Sequence, residues 1–320
     1  MKYTEPVFRP PNEASTLLLQ VTVGCTHNKC TFCTMYKGTQ FSIEHIDQIE
    51  KDLQEAKRTY GSLTRIFLIN GDAFVLSARR LKEISKKIIQ YFPKMETITM
   101  YASIRNIKAK TDEELQELRD LRINDLWMGL ESGNDEVLKH MNKGYSLNDT
   151  IEQLARLNNA GIRHNGIFML GAAGRGKGAR NAIDTAKLIN KTKPALVGFM
   201  TLGIFDGSEL SKEVKQNLFT PATELENLEE EKKLIELIEV ENLPFYAAHS
   251  INSVNIDGIL PDDKEKMIEA INNTIETTDN EFLNSTIKRS TLYFNRDLKW
   301  TLGGPDGKGS PFLGRGLHAG

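Results

Sequence analysis

Residues 17–33 read LLLQVTVGCTHNKCTFC. The first seven are short, apolar and partly β-branched, the pattern of a buried strand. The strand runs straight into Cys25, Cys30 and Cys33, spaced C-x4-C-x2-C, and the 320 residues contain no other cysteine. An odd, clustered set does not make a disulfide framework; it points to a metal centre or a redox thiol. Short spacings let one loop wrap a single compact metal core, and thiolates are the soft ligands that iron–sulfur clusters require. A four-iron cubane has four ligand positions, so three cysteines leave one iron open to a small molecule. Two alternatives stand beside this one at the level of the residues alone. The three thiols with His27 make a Cys3His zinc set, or they are a reactive or buried thiol group in a non-catalytic, redox-sensing protein.

Working outward from this stretch, five more strand-like runs follow: RIFLIN (65–70), TITMYAS (97–103), DLWMGLE (125–131), GIFMLG (166–171) and ALVGFMTL (195–202). Helical patterns separate them at 43–60, 77–91, 111–121, 134–141, 147–160 and 178–192, and a charged helix follows at 222–241. Thr111 is a plausible cap, with Glu114 three residues on. Strands alternating with helices mean a parallel sheet with right-handed crossovers. Nearly continuous apolar strands mean burial on both faces. Six units fall short of the eight that close a barrel. The expectation is an α/β fold, a partial (β/α)6 TIM-like barrel with a small C-terminal extension. Its parts are an N-terminal extension (1–15), the barrel (16–242), and a C-terminal cap with a glycine-rich tail (243–320). Active sites of such folds lie at the C-terminal ends of the strands, and every motif discussed here falls at such an end.

Composition excludes some classes. There are 41 Lys and Arg against 43 Asp and Glu, a formal net charge of −2. Such a balance gives no global electrostatic pull toward nucleic acid or a membrane surface. The N-terminal residues lack the apolar segment of a signal peptide, and no stretch approaches the length of a membrane span. The expected location is the cytoplasm.

The segment GCTHNKCTFCTMYKG (24–38) resembles the cluster loop of radical S-adenosylmethionine enzymes. It departs from the family's usual C-x3-C-x2-C by one extra residue between Cys25 and Cys30. The resemblance extends over roughly residues 15–275. It is similar to the branch containing oxygen-independent coproporphyrinogen oxidases, methylthiotransferases and elongator-type enzymes. It implies an enzyme with a [4Fe–4S] cluster on Cys25, Cys30 and Cys33, and S-adenosylmethionine on the open iron. Reductive cleavage of that cofactor yields a 5′-deoxyadenosyl radical, which abstracts hydrogen from an unidentified substrate. A reductant such as flavodoxin or ferredoxin is the implied partner. The resemblance also assigns cofactor contacts. Phe32 matches the aromatic position near the adenine. Gly71 and Asp72 resemble the glycine-rich motif that receives the amino end of the methionine. Ser103 falls where a polar ribose or methionine contact stands. In LWMGLESGNDEVLKHMNKG (126–144), Glu131 approaches the cofactor and Lys143 meets the methionine carboxylate, where physics favours a cation. Gly171 permits close approach of the adenine, and Thr201 is a similar contact at the sixth strand. Ile167 stands where the family has a ribose-binding acid, so that contact is absent or supplied elsewhere.

No cysteine is left for a second cluster, which argues against auxiliary-cluster enzymes, methylthiotransferases among them. The expectation is a minimal barrel without a cobalamin-binding domain. Arg175, Lys177 and Arg180 in GAAGRGKGAR (171–180) offer cations to a phosphate or carboxylate, although the spacing is not that of a P-loop; a solvated flexible loop is the plainer reading. His249, Asn252, Tyr36, Tyr101 and Tyr246 are secondary candidates whose ordinary roles are packing and hydrogen bonding.

Overall fold

The computed structural model describes residues 1–4, 6–287 and 289; the glycine-rich tail expected from residue 300 to 320 lies outside them. Ten strands are present among the described residues: β1 Leu17–Gln20, β2 Thr22–Val23, β3 Ser42–Ile43, β4 Arg65–Ile69, β5 Thr97–Ala102, β6 Ile123–Glu131, β7 Arg163–Leu170, β8 Leu196–Thr201, β9 Leu243–Tyr246 and β10 Asp257–Leu260. Ten helices matter here: α1 Ile46–Tyr60, α2 Ala78–Tyr91, α3 Ile104–Lys108, α4 Asp112–Asp120, α5 Asp135–His140, α6 Leu147–Asn159, α7 Gly178–Thr192, α8 Glu209–Lys215, α9 Glu224–Leu237 and α10 Lys264–Thr277.

Eight strands form one open sheet in the order β1-β4-β5-β6-β7-β8-β9-β10. Every pair is parallel except β9 with β10. The six expected strands are all present, and the sheet is not closed. It continues past residue 242, because β9 adds parallel to β8 through Val197↔Phe245 and Gly198↔Tyr246, and β10 turns back against β9. These two strands are four residues each; FYAAHSINSVNI (245–256) reads as a last short strand and loop, and β9 overlaps its start. The first expected strand is divided. Leu17–Gln20 joins the sheet, whereas Thr22–Val23 pairs with Ser42–Ile43 in a small hairpin that frames the cysteine loop.

The strands read as apolar runs because both faces are covered. In β4, Ile66 and Leu68 point into the main core under the helices, while Phe67 and Ile69 point the other way, toward Trp127, Tyr101 and Ile167. Val7 joins that second cluster, so the chain ahead of β1 fills part of the inner face. The helices start where the sequence supplies caps. Thr111 and Glu114 form a reciprocal capping box at α4, as expected, and Ser146 with Asp149 and Thr223 with Glu226 do the same at α6 and α9. Each box satisfies two N–H groups the first turn leaves without partners. No helix among the described residues is long and apolar enough to cross a membrane.

Candidate active site

Parallel strands place all their C-terminal ends on one edge, and the expected site residues gather there. The cysteine loop leaves β2 through Gly24, whose φ of +76° is the left-handed region open to glycine. The loop is held from several sides. Thr31 N donates to Met141 O at 3.1 Å, Asn142 Nδ2 donates to Lys29 O at 2.9 Å, and Leu210 N donates to Thr31 O at 2.9 Å. All three thiols are half-buried and free. Burial pushes each of them up, Cys33 to about 11. Charge on Cys25 raises Cys30, and charge on both raises Cys33, so the three sulfurs face a common space.

Among the described residues, no three His, Cys, Asp or Glu donors stand close enough to hold a metal ion. Zinc draws all its ligands to within about 2.3 Å of one centre, whereas a cubane takes one thiolate per iron and accepts wider separation. His27 is also committed: its Nε2 lies 2.5 Å from the Asn142 carbonyl oxygen, a contact that is a hydrogen bond only when that nitrogen carries the proton. The Cys3His zinc set thus loses that nitrogen as a ligand, and the donor set fits an iron–sulfur cubane.

Behind the loop stands the most constrained part of the site. Glu131 ends β6, 7 % exposed, with a φ of +63°. The register with β7 shifts between Gly129 and Glu131. A bulge of this kind re-aims a side chain, and left-handed backbone at a residue other than glycine is held only by its surroundings. Two features hold it. Lys143 Nζ donates to Glu131 Oε1 at 2.8 Å. A Cβ at Gly129 would lie 2.6 Å from the same oxygen, so glycine makes the room into which the carboxylate folds. Burial alone would depress the Lys143 ammonium; Glu131 beside it holds it well above the ordinary lysine value. The ammonium also sits 5.9 Å from the centre of the Phe32 ring, and Phe32 packs against the cluster of Val137, Met141, Met169 and Leu202.

The other expected residues divide by whether their polar atoms are committed. Ser103, after β5, caps α3: its N donates to Asn106 Oδ1 at 2.7 Å, and its buried Oγ faces the first turn of that helix with no other partner. Asp72 is 3 % exposed and accepts from Thr26 Oγ1, which staples the cysteine loop to the end of β4; burial raises its carboxyl, against that hydrogen bond. Gly71 N donates to Tyr36 Oη at 2.9 Å, and the Tyr36 ring occupies the space a Gly71 side chain would need. Thr201 is tied to the fold, since Asn252 Oδ1 accepts from its N at 2.7 Å and its Oγ1 at 3.0 Å. Gly171, with φ +73°, donates its N–H to Glu230 Oε2 at 2.9 Å.

Gly171 also opens the loop that offered Arg175, Lys177 and Arg180. Its backbone donors are spent on α9 and the segment before it: Gly176 N donates to Glu226 and Arg175 N to Thr220 O. Arg180 pairs with Asp184 at 2.8 Å. The loop is a tethered connection, not a phosphate cradle. His249 Nδ1 accepts from Ile251 N, Tyr246 Oη donates to Ala248 O, and Tyr101 packs edge-on against Phe67.

Two features had escaped the sequence reading. Arg105, two residues beyond Ser103, is half-buried; its guanidinium makes no hydrogen bond or ion pair among the described residues, lies beside Gly144 as His27 does, and helps hold down the Asp72 carboxyl. Its position just after the serine of a strand end was the only available signal. Asn227 of α9 is 5 % exposed with a buried, unpartnered Oδ1. It lines a cavity of about 280 Å³ beside Gly171, Leu202 and Ser211. Nothing in a charged helix marks that position in advance.

With this geometry in place, the chain was compared with known proteins. The Radical SAM superfamily profile matches residues 19–189. A provisional methylthiotransferase of Methanocaldococcus jannaschii is 26 % identical over 154 residues, 46 % of this chain and 33 % of that protein. The chain therefore spans about a third of the length of the curated relative it matches. Among solved structures, the radical S-adenosylmethionine methyltransferase TsrM of Kitasatospora setae, with cobalamin and a [4Fe–4S] cluster bound, has a TM-score of 0.51 at 16 % identity, over 63 % of this chain and 39 % of that one. The archaeal Elp3 of Methanocaldococcus infernus has a TM-score of 0.51 at 15 % identity, over 91 % and 69 %. Methylornithine synthase has 0.51 at 12 %, over 85 % and 83 %. At these identities the likeness is one of fold.

Proposed function

The chain belongs to the radical SAM superfamily, whose members are enzymes built on a [4Fe–4S] cluster and S-adenosylmethionine, and on that premise we propose that it cleaves S-adenosylmethionine reductively and uses the resulting 5′-deoxyadenosyl radical to take a hydrogen atom from a substrate. The observation that carries the reading is the buried Glu131–Lys143 pair standing directly behind three uncommitted thiols at one edge of the sheet. Bound, the cluster supplies one electron to the sulfonium and an open iron for its amino and carboxylate groups.

The chain's own residues hold and shield these groups. Cys25, Cys30 and Cys33 each give up a proton and ligate one iron. Phe32 offers the adenine an apolar face continuous with Met169 and Leu202. The hydroxyl of Ser103 takes a ribose or methionine contact, and Glu131 accepts from the cofactor while Lys143 holds its carboxylate in place. Since Lys143 already serves Glu131, Arg105 is the cation left free for the methionine carboxylate; a guanidinium matches a carboxylate in a bidentate way. Gly71, Asp72 and Thr201 act at one remove, fixing the loop and the strand ends around the cofactor. All three cysteines serve this one cluster, which leaves none in this sequence for the second cluster of a methylthiotransferase.

The test is anaerobic reconstitution with iron and sulfide. The protein should turn brown, bind about four irons per chain, and release 5′-deoxyadenosine when reduced with S-adenosylmethionine. Cys30→Ala should lose the cluster and all 5′-deoxyadenosine release while its circular dichroism stays that of the parent. Normal iron and turnover in that variant would be incompatible with the assignment.

A further inference from the structure

The cavity of about 280 Å³ beside Asn227 has a wall of Gly171 at the end of β7, Leu202 and Ile204 after β8, Val214 of α8, Ala222 before α9, and Ile287. Leu202, Ile204 and Val214 also belong to the apolar cluster against which Phe32 packs. The lining residues include no cysteine, and none of Phe32, Ser103, Arg105, Glu131 and Lys143. Gly171 is the one expected cofactor contact among them. There the room a side chain would need is already taken, since a Cβ would lie 2.5 Å from Asn227 Oδ1. The charged groups in and around the cavity are spent on one another. Arg289 forks onto Glu224 and donates to Ile251 O. Lys215 pairs with Asp206 at 3.6 Å, both exposed at the rim. Glu230, behind Gly171, accepts from Gly171 N and Asn181 Nδ2. Ser211 Oγ donates to Ser208 O, and Thr286 is exposed. Asn227 differs from all of these. It is 5 % exposed, its Oδ1 is buried without a partner, and its Nδ2 donates to no group among the described residues.

We propose that this cavity binds an uncharged small molecule carrying a secondary amide or lactam, and that Asn227 is the residue that recognises it. The inference goes beyond the radical reading and needs neither the cluster nor S-adenosylmethionine. Small-molecule sites are concave and mostly apolar, with a few polar groups that fix orientation. Here the walls are apolar, and every neighbouring charge has its counter-charge or its hydrogen bonds, so a charged ligand would be desolvated with nothing to offset it. The side-chain amide of Asn227 keeps both a donor and an acceptor unspent, and a buried polar group left so is completed by a partner. A ligand amide presents N–H and C=O side by side and meets both ends at once, whichever way the Asn227 amide is turned. A hydroxyl meets one end of it, and a hydrocarbon neither.

The experiment titrates the full 320-residue chain with two bicyclic compounds of one shape: 2-quinolone, a lactam, and coumarin, in which a ring oxygen replaces the N–H. Calorimetry should show 2-quinolone filling a single site per chain and coumarin binding about tenfold more weakly, the loss of one hydrogen bond. Asn227→Leu should bind the two compounds equally, because the group that tells them apart is gone. Val214→Phe, which fills the cavity from α8 and leaves Asn227 in place, should weaken both. Excess S-adenosylmethionine or 5′-deoxyadenosine on the reconstituted protein should not displace 2-quinolone. Absence of 2-quinolone binding, equal affinity of the parent for the two compounds, or a preference that survives Asn227→Leu would overturn the proposal. Displacement by 5′-deoxyadenosine would overturn it too, since the cavity would then belong to the cofactor site. The decisive comparison sets two ligands on one protein, so a general loss of stability in a variant does not imitate it.

Discussion

The two ends of the sheet are built from similar residues to opposite ends. At the N-terminal edge, Glu13, Arg65, Asp125, Trp127 and Asn165 form a closed network. Arg65 joins Glu13 and Asp125, Trp127 Nε1 donates to Glu13 at 3.0 Å, and Asn165 Nδ2 donates to Asp125 at 2.7 Å. Both carboxylates of that network are buried and satisfied. At the C-terminal edge, among the described residues, the Arg105 guanidinium makes no hydrogen bond or ion pair, the Ser103 Oγ is buried at the cap of α3, and three thiols stand half-exposed. One edge spends its polar groups on joining the N-terminal segment to β4, β6 and β7. The other keeps them in reserve, and a buried group left unsatisfied costs stability that a ligand returns. The division between a stabilising bottom and a reactive top follows from parallel strands presenting all their outgoing loops on one side.

The Glu131–Lys143 pair tests that division hardest, because it lies at the reactive edge yet is buried and paired like the other one. Lys143→Met should destabilise the fold by about 3 kcal/mol or more, since it leaves the buried Glu131 carboxylate without its partner. Adding Glu131→Leu to it should restore most of that loss in a denaturant titration without restoring S-adenosylmethionine binding. Full recovery of binding in the double variant would make the pair structural and collapse the distinction between the two edges.

At the opposite edge, Glu13→Ala should cost about 2 kcal/mol, less than a fully broken buried pair because Arg65 keeps Asp125. Arg65 beside it holds the Glu13 carboxyl below its ordinary value despite burial. Its contribution is therefore present above the unfolded value and lost as pH falls through the folded one. The variant should be less acid-sensitive than the parent, while iron content and cofactor affinity per folded molecule stay unchanged. Lost cofactor affinity in folded Glu13→Ala would show that the edges are coupled.

A smaller effect is expected for Ser103→Ala. Its hydroxyl serves only the first turn of α3, so stability should fall by about 1 kcal/mol or less, while S-adenosylmethionine binding weakens by about 1 kcal/mol, one hydrogen bond. Equal affinity would return Ser103 to a packing role.

The gentlest effect concerns the support behind Gly171. Burial raises Glu230 to about 7 and Glu231 to about 8, well above their ordinary carboxyl value of 4.5. Between the ordinary value and these raised ones the folded chain holds protons that the unfolded chain has released, so stability should fall as pH rises across that window. Glu230→Gln with Glu231→Gln should flatten that slope in melting temperatures taken at about pH 5 and about pH 8. A slope unchanged from the parent would remove both carboxylates as its source.

Much of this was readable from the chain alone, for definite reasons. Six strands were legible because each is an apolar run covered on both faces, and the cysteine loop because its ligand spacing is local. Thr111 with Glu114 was legible because a capping box spans four residues. The β2–β3 hairpin was not, since two-residue strands leave no period to detect. Nor was the place of β9 beside β8, which depends on pairing across the sheet, although a short strand is legible from residue 245. Among candidate site residues, Glu131 and Lys143 stand out in the sequence twelve positions apart, but their direct bond at 2.8 Å required the folded chain. The glycine-rich loop misled in the other direction: its N–H groups looked available until α9 was seen to occupy them.

The sequence by itself determined the alternation of strands and helices, the thiol set and the edge on which chemistry gathers, because burial pattern and ligand spacing are properties of neighbouring residues. Only the tertiary structure decided which polar groups remain unspent, because commitment of a hydrogen-bonding group depends on partners dozens of residues away, brought within about 3 Å by the packing of the sheet.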